Sequence, residues 1–321
     1  MLRKTLESQQ IGIYFGVIVV AVVVALAIPG TTILEVCINP ALALMLFVTF
    51  LQIPIPDLAR GFAKNYLAAL LVTNFVVLPF FVAGLVQLLT PSNPMVLLGV
   101  YLVLLTPCID YVVTFSQLGG ADARLILAAT PILLIMQMML LPVYIHLLLN
   151  EEAVKLIYFK PFFHAFIWLI VLPLIFAALM QLWAARYHSG KIILLTFGLL
   201  PVPATALVLF VVIAAVLPQA GSTIQETLQV IPIYIVFAFF APLIGWFVAK
   251  FFKLNARAGR AVAFSAGTRN SLVVLPLAFA IPNAIPILPA VIVTQTLIEL
   301  ISELVYVRLI SKLGSNETVS R

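Results

Sequence analysis

The sequence predicts an all-α polytopic membrane protein with ten transmembrane helices, built as two inverted five-helix repeats. Three observations support this fold class: an apolar composition, ten apolar runs of spanning length, and a segment that recurs in the second half of the chain. Of the 321 residues, 64% are hydrophobic and only 9% are charged, whereas a soluble domain carries about 25% charged residues. Because the chain lacks the polar residues to cover a soluble core of this size, we expect many membrane spans.

The apolar runs set the number of spans, since a helix needs about 20 residues to cross the hydrocarbon layer. The connections between the runs are short, so we expect one integral membrane domain over residues 1–321. Its two repeats would cover about 1–150 and 151–321. The ten predicted spans cover residues 11–29, 33–53, 64–89, 95–118, 122–148, 161–185, 191–216, 226–252, 258–281 and 285–311.

The basic residues predict the orientation of these spans. Lys155 and Lys160 fall on one side of the membrane and Arg269 falls inside span nine, while the other 14 of the 17 Lys and Arg residues fall on the opposite side. Cytoplasmic loops carry the excess of positive charge, so we expect both termini in the cytoplasm. The compact layout favours a bacterial inner membrane. The basic residues form no stripe interleaved with aromatic residues, so nucleic acid is not an expected partner, and membrane lipid headgroups are.

A repeated segment predicts the inverted symmetry. Residues 40–48 (PALALMLFV) match residues 203–211 (PATALVLFV) at seven of nine positions, with an offset of 163 residues. The same offset relates Pro79 in span three to Pro242 in span eight. Five spans per half is an odd number, so the two halves must have opposite orientations. Inverted repeats with interrupted helices at corresponding positions are typical of secondary transporters.

Spans four and nine, which correspond in the two halves, each contain a helix-breaking stretch with a charge. Span four contains Thr106-Pro107-Cys108-Ile109-Asp110-Tyr111, and span nine contains Gly267-Thr268-Arg269-Asn270-Ser271. Proline removes a backbone donor, and unwound backbone is tolerated at membrane depth only where it is buried in protein or lines a cavity. We therefore expect both helices to break, and the breaks to lie close together near the middle of the membrane. There the helix N-termini would suit an anion and the carbonyl groups a cation.

The charges in these stretches allow two interpretations. A charge near the bilayer centre costs at least about 2.5–3.5 kcal/mol, which makes an intramembrane ionisable residue a candidate for function. Arg269 would then receive an anionic substrate, or Asp110 would carry a coupling proton. Alternatively, Asp110 and Arg269 neutralise each other and only fix the crossing. Glu299, in the middle of span ten, is a further candidate for binding a coupling ion or proton.

The two stretches resemble the helix-four and helix-nine motifs of the bile acid/sodium symporter superfamily, and the resemblance covers the ten-span layout. Pro107-Cys108, followed by Gly119-Gly120-Ala121-Asp122, is most similar to the arsenical-resistance branch. The resemblance implies a panel domain and a core domain, with helices four and nine crossing at their discontinuities. It also implies transport of organic anions with sodium, or extrusion of arsenite.

The chain also departs from the motifs of that family. Sodium-coupled members carry Ser-Asn after the first break and Glu or Gln in helix nine, where this chain has Val112, Val113, Ser265 and Arg269. Thr130 matches a threonine of the family's sodium site. The helix-nine glutamate of arsenite carriers falls on Val273. Cys108 could bind trivalent arsenic, because thiolates favour soft partners, or it could be a small buried residue beside a proline.

These observations predict a secondary active transporter of a small anion or weak acid, with arsenite efflux as the leading substrate hypothesis. The alternative is an organic anion symporter coupled to sodium or protons. A channel or a sensor is a third hypothesis, but a selective pore needs polar groups along its whole length. The candidate binding residues are Pro107, Cys108, Asp110, Thr130, Gly267, Thr268, Arg269, Asn270 and Glu299. No phosphate-binding loop, catalytic triad or metal-ligand spacing is present in the sequence, so neither an enzyme nor a resident cofactor is expected; sodium or a proton would serve only as a coupling ion.

Overall fold

The protein is described by a computed structural model, which covers residues 2–52, 64–89, 91, 93–109, 111–149, 164, 167–279, 281 and 284–314. Regular structure within these residues is helical, apart from one isolated β-bridge. The α-helices are α1 (Leu2–Ala27), α2 (Glu35–Phe50), α3 (Lys64–Val72), α4 (Leu78–Leu89), α5 (Pro94–Leu104), α6 (Val112–Leu118), α7 (Ala123–Leu148), α8 (Leu172–Arg186), α9 (His188–Phe197), α10 (Pro201–Val216), α11 (Ile224–Phe251), α12 (Ala256–Gly267), α13 (Ser271–Phe279) and α14 (Ile287–Leu309).

Seven helical segments in the described residues are long and apolar enough to cross a membrane. Large apolar side chains such as Phe80, Leu88 and Phe251 are exposed on them, as expected for surfaces that contact lipid. The protein is therefore an all-α polytopic membrane protein. The total of ten spans and the position of the termini remain predictions. The seven segments are Gln9–Ala27, Thr31–Phe50, Lys64–Leu89, Ala123–Leu148, Pro201–Gln219, Gln225–Phe251 and Ile287–Lys312.

Several predicted spans differ from the helices in detail. The span predicted over 191–216 is wrong as a single helix, because α9 ends at Phe197 and α10 begins at Pro201. Proline is favoured in the first turn of a helix and disfavoured in its interior, so the apolar run continues where the helix does not. Spans four and nine are divided as predicted, into α5 and α6 and into α12 and α13.

The chain forms two compact units, and each draws on both halves of the sequence. One unit comprises Met1–Ile55, Leu156–Gln225 and Leu275–Ala290, and the other comprises Pro56–Lys155, Glu226–Val274 and Val291–Arg321. In the first unit, α10 packs against α1 and α2. The two copies of the repeated segment therefore lie on neighbouring helices, α2 and α10. Gln181 donates to the carbonyl groups of Phe50 and Leu51 at the end of α2.

In the second unit, the prolines related by the repeat are accommodated in the same way. Because Pro79 and Pro242 have no N–H, the carbonyl groups of Phe75 and Ala238, four residues earlier, lose their helical donors. Tyr144 donates its hydroxyl to Phe75 O over 2.6 Å, and the Tyr306 hydroxyl donates to Ala238 O. Buried backbone acceptors require such partners, so each proline is matched by a tyrosine from another helix. This agreement supports the predicted repeat.

Helix α12 lies at the centre of the second unit and packs against α3, α6 and α7. Its small residues permit close approach: a Cβ atom at Gly267 would lie 2.7 Å from Tyr306 Cε2 and 2.8 Å from Pro242 Cγ. Likewise, a Cβ atom at Gly119 would lie 2.3 Å from Phe264 Cζ. Glycine at the end of α12 therefore allows the second interrupted stretch to be buried.

Candidate functional site

The two interrupted stretches lie close together, as predicted, and they pair through their backbones. Pro107 and Arg269 form an antiparallel β-bridge. Cys108 N donates to Thr268 O over 3.1 Å, and Asn270 N donates to Thr106 O over 2.8 Å. Unwound backbone away from water must satisfy its polar groups within the protein, and here each break supplies partners for the other.

The pairing is reciprocal. The separation along the chain between Thr106 and Thr268 equals that between Cys108 and Asn270. It is one residue shorter than the 163-residue offset of the sequence repeat. Both threonine hydroxyls also donate to the carbonyl group four residues earlier, Leu102 O and Phe264 O. The two breaks thus have the same local design, which again supports the predicted internal repeat.

Arg269 is fully buried, and its guanidinium group is directed toward oxygen atoms. Nη2 donates to Ser265 O and Ala266 O over 2.7 Å each and to Asn74 Oδ1 over 2.9 Å, and Nη1 donates to Leu104 O over 3.3 Å. The ring of Phe237 lies 5.3 Å from Cζ, within cation–π range. Burying this charge is costly unless it is hydrogen-bonded, and these contacts provide the compensation.

Asn74 is positioned for this contact by a local widening of its helix. Residues Thr73–Val77 form a π-helical turn between α3 and α4, a feature frequent at functional sites. Asn74 Nδ2 donates to Leu70 O over 3.0 Å and to Ser265 Oγ over 3.1 Å. Its amide orientation is therefore fixed, with Oδ1 facing Arg269.

Glu299, on α14, connects three elements of the site. Its Oε1 accepts from the Tyr111 hydroxyl over 2.6 Å, and its Oε2 accepts from Arg269 N over 2.6 Å and from Gln295 Nε2 over 2.5 Å. A carboxylate is an acceptor only, so three converging donors suit it. Glu299 therefore joins both interrupted stretches through Tyr111 and the backbone of Arg269.

Thr268 contacts a second buried carboxyl group on α14. Its hydroxyl oxygen lies 2.5 Å from Glu303 Oε1, while Glu303 Oε2 is buried and has no hydrogen-bond partner among the described residues. Thr296 lies on the same face of α14, one turn before Glu299. Its Oγ1 donates to Oγ of Ser271, the first residue of α13, over 2.8 Å. One face of α14 therefore holds the second break from Thr268 to Ser271.

Two donor nitrogen atoms at the pairing lack an acceptor within the described part of the chain. They are Arg269 Nε and Asn270 Nδ2, and Asn270 is only 2% exposed. A buried donor without a partner costs about 1–3 kcal/mol, and such groups need an explanation in a native structure. Both can donate only, so they suit an oxygen-bearing ligand.

The other predicted residues are placed as follows. Cys108 is fully buried at the pairing, whereas Cys37 is exposed on α2. Gly267 ends α12. Thr130 is buried on α7, and its hydroxyl donates to Ile126 O rather than to the paired stretches. Asp110 lies outside the described residues, so its ion pair with Arg269 remains a prediction.

Some contributors to the site could not be identified from the sequence. The Leu104 carbonyl carries no sequence signal, because any residue could supply it. Tyr111 could be noted only as part of the first break, and the pattern gave no hint that its hydroxyl reaches Glu299. Within the described residues, no group of three or more His, Cys, Asp or Glu could hold a metal ion.

The fold and the site define a polytopic membrane protein in which two interrupted helices pair around a buried guanidinium group. The family model of the sodium bile acid symporter family matches residues 39–226, more than half of the chain. The chain belongs to this family, whose members are transporters rather than enzymes. The match includes the first interrupted stretch and ends before the second. No curated protein sequence matches the chain.

Proposed function

We propose that this protein is a secondary active transporter that moves a small anion or weak acid across a bacterial inner membrane by alternating access. The ten predicted spans, with both termini cytoplasmic, form its transmembrane part. The paired breaks form the moving core and bind the solute. Membership of a transporter family and the presence of two interrupted, paired helices support this proposal.

The observation that carries the choice of solute is the pair of unpartnered donors, Arg269 Nε and Asn270 Nδ2. An oxyanion or a hydroxylated weak acid would supply the missing acceptors. The positive charge of Arg269 favours an anion at the same place. Because Nη1 and Nη2 each already donate to protein oxygens, whereas Nε has no acceptor among the described residues, we assign solute contact to Nε.

Arsenite efflux is the first substrate hypothesis to test. Arsenous acid presents oxygen atoms to these donors, and trivalent arsenic accepts a thiolate ligand. Cys108 is buried at the pairing, where it could supply that ligand. The family to which the chain belongs favours the alternative, an organic anion or small carboxylate moved together with sodium or a proton.

The experiment is counterflow in proteoliposomes that contain the purified full chain. Arsenite, a bile-type anion and small carboxylates are offered with sodium and pH varied independently. A transporter accumulates labelled solute against its gradient, whereas a channel only dissipates the gradient. Exchange of none of these solutes, or dissipation without accumulation, would refute the proposal.

Asn270→Asp tests the binding assignment, because it removes the unpartnered donor and adds a repelling negative charge. We expect at least a tenfold loss of transport at subsaturating solute, a loss of about 1.4 kcal/mol in binding. Asn255→Ala is the control, since Asn255 caps the start of α12 by accepting from Ala258 N. The control variant should lose stability but keep transport. Equal transport by Asn270→Asp and the wild type would remove Asn270 from the site.

A further inference from the structure

The guanidinium group of Arg269 has the ligand shell of a bound cation. Its four acceptors are the carbonyl oxygens of Leu104, Ser265 and Ala266 and the amide oxygen of Asn74, at 2.7–3.3 Å. Carbonyl and amide oxygens are the ligands that replace the hydration shell of a bare metal cation. All four oxygens belong to the same compact unit.

Two helix ends create this shell. Leu104 is the last residue of α5, and Ser265 and Ala266 lie in the last turn of α12. The last carbonyl groups of a helix have no helical donors and carry partial negative charge. Two such ends directed at one point form a site for positive charge.

The backbone of the second break leaves these carbonyls available. In a continuous helix, Arg269 N would donate to Ser265 O and Asn270 N would donate to Ala266 O. Instead, Arg269 N donates to Glu299, and Asn270 N donates to Thr106 O. The side chain of Arg269 then occupies both acceptors. A helix cap alone would explain those two contacts, but not the convergence of Leu104 and Asn74 from other segments on the same group.

We propose that Arg269 is a tethered cation that occupies a site which would otherwise bind a free monovalent cation, so that transport by this chain needs no sodium at the paired breaks. The transport part of the inference depends on the proposed function, whereas the occupied cation site does not. A second cation would have to share the same four oxygens with a buried positive charge, and both the lack of ligands and the like charge oppose that. Sodium therefore does not fit these residues while Arg269 is present.

Thermal unfolding of the purified full chain tests the site without any substrate. Melting is measured in sodium chloride and in choline chloride at equal ionic strength, with potassium chloride as a selectivity control. A ligand that binds only the folded state raises Tm in a saturable manner. Wild-type protein should show the same Tm in sodium and choline. Arg269→Ala should melt several degrees lower in choline, and sodium should restore part of the loss with saturation.

Three further measurements isolate the effect. Arg269→Lys keeps a tethered positive charge and should remain insensitive to sodium. Guanidinium chloride at low millimolar concentration should raise the Tm of Arg269→Ala but not that of the wild type. Arg260→Ala is the matched control, because Arg260 lies on α12, which leads into the second break, and also donates to carbonyl groups, Leu313 O and Gly120 O, away from the pairing. It should respond equally to sodium and choline.

The outcomes are decisive in each direction. A saturable sodium effect on the wild type, or a folded Arg269→Ala variant that does not respond to sodium, would overturn the proposal. If Arg269→Ala does not fold, Arg269→Gln replaces it, and if neither folds, the wild-type titration decides alone. Solute transport that requires sodium would overturn the tethered cation and leave the proposed transporter intact. If no solute is transported but the melting results are as expected, the proposed transporter is refuted and the tethered cation stands.

Discussion

Replacing Glu299 by glutamine tests the central connection of the site. The carboxylate accepts three hydrogen bonds, from the Tyr111 hydroxyl, Arg269 N and Gln295 Nε2, at 2.5–2.6 Å. Glutamine is nearly isosteric but has one NH2 group in place of an oxygen. If the NH2 group faces Tyr111, the tyrosine hydroxyl can rotate and accept from it. If it faces Arg269 N and Gln295 Nε2, it meets two donors that cannot accept a hydrogen bond. The substitution also removes a negative charge close to the buried guanidinium group of Arg269.

The expected cost follows from these contacts. A hydrogen bond to a charged group contributes about 1.5–3 kcal/mol and a neutral one about 0.5–1.5 kcal/mol, so each bond loses about 1 kcal/mol when the charge is removed. Three bonds give about 3 kcal/mol for Glu299→Gln. Tyr111→Phe removes only one of them and should cost about 1.5–3 kcal/mol. Because the two residues share a bond, the double variant should cost less than the sum, by about 1 kcal/mol or more.

The measurement is denaturant or thermal unfolding of the full chain in detergent for the wild type, both single variants and the double variant. The shift in Tm per kcal/mol falls with chain length and is about 2–4 °C for 150–250 residues. For this chain of 321 residues we use the lower end, so Glu299→Gln should lower Tm by about 6 °C. A Glu299→Gln variant that melts within about 1 °C of the wild type, or strictly additive costs in the cycle, would show that Glu299 does not join the two breaks.

Two further predictions concern packing and substrate. Gly267→Ala should destabilise the protein by about 1–3 kcal/mol through overpacking, because its Cβ would lie 2.7 Å from Tyr306 Cε2. Gly84→Ala is the control in the same melting assay and should be neutral or slightly stabilising, since no atom lies within 4 Å of its Cβ position. Equal effects of the two substitutions would contradict the close packing at Gly267. If the thiol is the arsenic ligand, Cys108→Ser should abolish arsenite counterflow but retain carboxylate counterflow. Cys37→Ser is the control, because Cys37 is exposed. Arsenite transport that survives Cys108→Ser would show that the thiol does not bind arsenic.

Much of the architecture is readable from the sequence, because membrane helices are determined by local composition. A low charge content requires spans, and Pro107 and the Gly267–Ser271 stretch mark where two of them break. The prediction failed over 191–216, where the apolar run continues through Gly198 to Pro201 although the helix ends. Hydropathy does not register such a break, since the half-buried turn at residues 198–200 is as apolar as the helices on either side.

The sequence by itself identified Arg269 and Glu299 as charges inside apolar spans, but the tertiary structure decided what each one contacts. The sequence suggested no contact between these two residues, yet Glu299 accepts from the backbone N–H of Arg269, while the guanidinium group donates to Asn74 and to three carbonyl groups. The physical reason is that carbonyl groups are identical in every residue. Only the packing of α3, α5, α12 and α14 determines which of them lose their helical donors and converge on one buried charge.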